Sequence, residues 1–164
     1  MKTLMLLRHA KSSWDDETLE DRERPLNKRG KKTAPLMGHL IRDQELVPEL
    51  IASSMALRAK DTAEAAAKAC GYSGAIAFTD ALYLATAGEI LRYAQEHTAE
   101  TLSRILLVGH NPGMEDLVNV LSGRREPFPT AALAVFRLGI EKWRELELGV
   151  DAKLANLWRP KELE

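Results

Sequence analysis

The chain has 164 residues, 45% hydrophobic and 29% charged, a size and composition suited to one domain with a single core. Its formal net charge of −1 excludes a global basic field for nucleic acid or an anionic membrane, so any attraction for phosphate has to be local. Cys70 is the sole cysteine, which rules out an intramolecular disulfide and fits a reducing compartment. The first apolar run is too short for a secretory signal, and no stretch reaches the ~20 apolar residues of a membrane span. The expectation is a cytoplasmic protein.

Short apolar runs alternate with helical patterns along the chain. Strands are predicted at 3–7, 49–52, 75–78, 104–108 and 132–138, and helices at 31–43, 57–70, 87–97 and 113–122. The unbroken apolar run 105–108 suits a strand covered on both faces. Gly71 and Gly123 stand where helix C-caps belong. Pro35 lies inside the first helical pattern, so that helix is expected to start late or to kink. Residues 143–148 read as a short helix or a strand, and 153–158 as a strand. With no repeat, linker or low-complexity tract, 1–164 is taken as one domain. Alternating strands and helices imply a three-layer α/β/α sandwich around a mostly parallel sheet.

Ligands of such sheets bind at the carboxyl ends of the strands. There the sequence places Arg8 and His9, then Ser53, Ser54 and Arg58, then Gly109, His110 and Asn111. Arginine offers a planar fork of donors that matches phosphate oxygens. Neighbouring positive charge disfavours protonation of an imidazole, so His9 can stay neutral and nucleophilic. His110, if protonated, would neutralise charge on a transferring phosphoryl group. The bland alternatives are solvated strand ends for the histidines and a surface charge for Arg58. His39 and His97 fall within helical patterns and are read as structural. The four histidines lack metal-site spacing, and no nucleotide-binding glycine motif occurs, so neither metal nor cofactor is expected. A cysteine-phosphatase reading fails because the sixth residue after Cys70 is Ile76, where an arginine would be needed.

These residues resemble the histidine phosphatase superfamily, whose fold is that of phosphoglycerate mutase. Arg8-His9-Ala10 is similar to its opening Arg-His-Gly. RPLNKRG (24–30), SSMALRAKDTAE (53–64) and VGHNPGM (108–114) resemble three further elements in family order. The tail FPTAALAVFRL and the closing LWRP are similar to the short SixA-type branch, the protein phosphohistidine phosphatases. The resemblance implies His9 as nucleophile, with Arg8, Arg58 and His110 completing the phosphate pocket. It also implies substrate contacts from Arg24 and Ser12, while Asn111 can donate to phosphate or simply form a turn.

Two departures stand out. Ala10 replaces the family glycine and would be strained if its φ were positive. No carboxylate falls on the family's general-acid position; Asp80 and Glu89 are the nearby candidates, and Glu89 fits a helix start equally well. A missing acid favours phosphohistidine, whose imidazole can be protonated before it leaves, over phosphate esters. The expected partner is thus a phosphorylated protein or a small phosphorylated molecule. The alternatives are a small phosphomonoesterase, a mutase-like enzyme, or a protein that binds a phosphorylated ligand without turnover. The mixed-charge stretch 20–32 reads as a solvated loop that could also help dock a protein substrate.

Overall fold

The computed structural model describes residues 1–163. Six strands form one sheet: β1 (Lys2–Arg8), β2 (Leu50–Ser54), β3 (Ile76–Thr79), β4 (Arg104–Gly109), β5 (Leu133–Leu138) and β6 (Ala152–Trp158). Their order is β3-β2-β4-β1-β5-β6. Only β5 runs against the others, pairing antiparallel with both β1 and β6. The sheet is thus mostly parallel, as expected. The helices are α1 (Lys28–Asp43), α2 (Leu57–Cys70), α3 (Ala87–His97), α4 (Gly113–Ser122) and the single turn α5 (Pro160–Leu163). No helix among the described residues is long and apolar enough to cross a membrane.

The period-two alternation of the strands builds two cores. Leu4 and Leu6 of β1 join Ile105 and Leu107 of β4 under α3 and α4, where Ile90, Leu117 and Val118 pack. Met5 and Leu7 join Ile51, Leu106 and Val108 on the opposite face, against Met37 and Ile41 of α1 and Ala63 and Ala66 of α2. Central strands covered on both faces in this way need the near-continuous apolar runs that the sequence shows.

One expectation is corrected, and one open alternative is settled in favour of a short helix. Helix α1 begins at Lys28 rather than at 31, because Asn27 caps it by accepting a hydrogen bond from the Gly30 amide (2.8 Å), and it runs on through Pro35. The doubtful stretch 143–148 contains a single 3-10 turn, Trp143–Glu145, whose fully buried indole donates to the Leu102 carbonyl (2.7 Å). Gly71 and Gly123 adopt left-handed C-cap conformations, with φ of 82° and 71°. Close approach explains two other glycines. A Cβ at Gly30 would lie 2.1 Å from the Lys11 carbonyl, and one at Gly113 would lie 1.8 Å from the Ala85 carbonyl. Both glycines let a helix start press against segments that carry the site.

Candidate active site

The parallel strands β1, β2 and β4 end on one edge of the sheet, and the predicted side chains gather there. A cavity of about 280 Å³ is lined by Arg8, His9, Ser12, Arg24, Arg58, His110 and Asn111, together with Lys11, Trp14, Leu84 and Thr130. The first seven are the residues that the sequence assigns to catalysis and substrate binding. Four of the lining residues are cationic, a local excess in a chain of net charge −1.

His9 follows β1 directly, and its amide donates to the Gly109 carbonyl of β4 (3.0 Å). The Ala131 amide bridges the Arg8 and His9 carbonyls (3.1 and 3.0 Å) from a left-handed backbone conformation (φ 62°). A buried alanine held at positive φ is strain of the kind that positions functional groups. The His9 ring places Nδ1 2.7 Å from the Ala10 carbonyl. A carbonyl only accepts, so Nδ1 carries the proton and Nε2 keeps its lone pair. Burial, more than the adjacent Arg58 and Arg8, pushes the pKa of His9 down to about 3. Desolvation thus outweighs the neighbouring arginine charges that the sequence points to. Ala10 is not among the residues of positive φ, so the family glycine is dispensable here. Its amide instead donates to Thr62 Oγ1 (2.9 Å), tying the loop to α2.

His110 lies 5.1 Å from His9, ring centre to ring centre, and is also buried. Its Nδ1 accepts from Arg58 Nη2 (3.4 Å), so Nε2 carries the proton and donates to Ser54 Oγ (2.7 Å). The ring is therefore neutral. Burial, then His9 and Arg58, lower its pKa to about 3.

The arginines are anchored differently. Arg8 donates to the Phe128 carbonyl (3.2 Å), and burial lowers its pKa. Arg58, on the first turn of α2, is 3% exposed and gives both terminal nitrogens to one residue. These contacts are Nη1 to the Asp21 carbonyl (2.7 Å) and Nη2 to Asp21 Oδ2 (3.0 Å). Arg24 donates to Ser12 Oγ (2.7 Å) and to Asp21 Oδ1 (3.3 Å), and its guanidinium lies over the Trp14 ring at 3.5 Å. Asn111 spends its side chain on structure, donating to the Phe128 carbonyl (2.9 Å) and accepting from the Glu115 amide (3.2 Å).

Asp21 is the charged neighbour of the site that the sequence does not single out. Its carboxylate ties Arg58 to Arg24 and accepts from the Tyr83 hydroxyl (2.5 Å). Partial burial pushes its pKa up, but the Tyr83 hydroxyl and the Arg58 charge outweigh that and hold it at about 2. The two carboxylates weighed as acids stand elsewhere. Asp80 pairs with Arg22, and Glu89 closes a capping box with Thr86 at the start of α3.

Comparison with known proteins agrees with this geometry. The histidine phosphatase superfamily (branch 1) profile matches residues 4–83. An uncharacterized chloroplastic protein of Arabidopsis thaliana is 32% identical over 152 residues, covering 88% of this chain and 70% of that protein. The crystal structure of a SixA from Agrobacterium tumefaciens is 29% identical, with a TM-score of 0.82 over 97% of this chain and 98% of that one. The protein histidine phosphatase SixA solved with tungstate shares 22% identity, and its TM-score of 0.83 over 99% of each chain shows the same fold.

Proposed function

This chain belongs to the histidine phosphatase superfamily, and on that premise we propose that it is a SixA-type phosphatase that removes phosphate from phosphohistidine in proteins through a phospho-His9 intermediate. The observation that carries the reading is the His9 ring. Its Nδ1 is held as a donor to a carbonyl, and its Nε2 lone pair belongs to a cavity walled by Arg8, Arg24, Arg58 and His110.

Nε2 attacks the phosphorus, and the bond from phosphorus to the substrate imidazole breaks. If that imidazole is already protonated on its other nitrogen, it leaves as a neutral ring and needs no further proton. One imidazole thus replaces another, and charge is conserved. Water then attacks phospho-His9; its oxygen joins phosphorus, its protons leave with phosphate, and Nε2 recovers its lone pair. The arginines hold the equatorial oxygens throughout, so the mechanism requires no metal. Arrival of the phosphoryl dianion favours a proton on His110, which then helps to offset the charge.

The carboxylates support phosphohistidine over esters. An alkoxide leaving group needs an acid. Asp21, held at about 2, is ionised at neutral pH, while Asp80 and Glu89 are engaged outside the cavity. One domain spanning 1–164 and residence in the cytoplasm, consistent with the lone Cys70, form part of the same proposal.

The test compares phosphate release by wild type and His9→Ala from a phosphohistidine peptide and from a panel of phosphate monoesters. Strong preference for phosphohistidine, abolished in the variant, supports the reading. Preference for an ester moves the protein to the small-molecule phosphatases. Binding of phosphate without release from any substrate favours a binding protein.

A further inference from the structure

A second cavity, about 610 Å³, opens beside the first. Lys11 and Thr130 line both, so the two share a wall. Its other charged lining residues are Arg29, Arg159, Lys161 and a single carboxylate, Glu162. Arg159 is already matched, by Glu126 (3.1 Å) and Glu162 (3.6 Å), and donates to the Pro127 carbonyl (2.9 Å). Lys11 and Lys161 differ from it. Both are exposed, and neither amine pairs with another described residue. They come from different parts of the chain, Lys11 from the loop after β1 and Lys161 from α5. The net result is a groove with two cations unpaired among the described residues, more than twice the volume of the phosphate cavity and adjoining it.

A phosphoryl group and its imidazole are served by the smaller cavity. A neighbouring groove with cations from two elements and proline in its lining (Pro129 and Pro160) suits an extended chain carrying carboxylates. We propose that this groove docks an acidic stretch of the phosphorylated protein, a few residues from the phosphohistidine. The inference rests on the phosphohistidine reading and adds to it a basis for choosing among protein substrates. The charges act at an exposed surface, so their effect is modest and salt-dependent.

The test uses the full chain and phosphohistidine peptides of equal length. Acidic, neutral or basic residues stand three to six positions before or after the phosphorylated residue, and free phosphohistidine serves as the reference. The expected result is a kcat/KM about tenfold higher for one acidic peptide than for its neutral counterpart at low salt, two favourable exposed pairs being of that order. The preference should shrink at high salt and disappear in Lys161→Glu, which lies outside the phosphate cavity and should turn over free phosphohistidine like wild type. Equal kcat/KM for all peptides, with free phosphohistidine hydrolysed, overturns the docking groove alone. So does a preference that survives Lys161→Glu. Failure to hydrolyse any phosphohistidine compound overturns the underlying activity, and the groove's assignment falls with it.

Discussion

Mild acid should destabilise the folded chain through the two site histidines. Each is buried and neutral when folded, with a pKa near 3 against an ordinary 6.5. Below pH 6.5 the unfolded chain takes up a proton at each ring and the folded chain does not. Stability therefore falls as pH drops from 6.5 toward 3. Each pH unit in that window costs about 1.4 kcal/mol per histidine. At pH 5 the loss is about 2 kcal/mol for each ring and about 4 kcal/mol for the pair. That figure depends on the unfolded value and requires only that both folded values lie below 5. The assay is urea unfolding at pH 7 and pH 5 for wild type, His9→Gln, His110→Gln and the double variant. Each single variant should lose about 2 kcal/mol less than wild type on acidification. Saturating inorganic phosphate should narrow the wild-type loss, because an anion beside the rings favours imidazolium. If the double variant loses as much stability as wild type between pH 7 and 5, the two rings are not held neutral by the fold.

Arg58→Ala should weaken both phosphate binding, read by calorimetric titration, and turnover, with kcat/KM falling at least about 100-fold, since it removes a charged donor from a water-poor site. Asp21→Asn should raise KM about fivefold with a smaller effect on kcat. A charge-assisted contact at a half-exposed carboxylate is worth about 1 kcal/mol, and Arg58 keeps its bond to the Asp21 carbonyl; an unchanged KM would remove Asp21 from the positioning of the arginines. Gly113→Ala should cost about 1–3 kcal/mol in thermal or urea unfolding, because its Cβ would overlap the Ala85 carbonyl at 1.8 Å. Chelator treatment should leave turnover unchanged, and activity lost to chelator and restored by a metal would refute a mechanism built on arginine and histidine alone.

The sheet was legible because its strands are buried on both faces. Residues 105–108 had no choice but a continuous apolar run, and β1 and β4 therefore stand out of the sequence. Boundaries were less legible where polar groups decide them. The start of α1 depends on one side-chain bond from Asn27 to the Gly30 amide, inside a run of lysine and arginine that has no apolar period. Pro35 argued for a later start because its missing N–H is a local cost. The apolar face that α1 presents to α2 is a larger, tertiary gain that local propensity does not register.

The site divides along the same line. His9, Arg8 and His110 could be found because they terminate strands, and strand termini are fixed by the periodicity that precedes them. Arg58 could be found because α2 begins where β2 ends. Asp21 follows neither rule. It lies in a charge-rich loop, in a 3-10 turn without a buried residue, and it meets Arg58 across 37 positions of sequence. Nothing local separates it from Glu20 or Glu23 on either side. Only the folded geometry shows which carboxylate reaches the arginines. That geometry also explains why a cavity rich in cations keeps a carboxylate against its deepest arginine. Arg58 is 3% exposed, and without a partner its guanidinium would be left desolvated and poorly oriented whenever the site is empty. Asp21 meets that need from the side, leaving the cavity itself lined by cations, histidines and neutral groups.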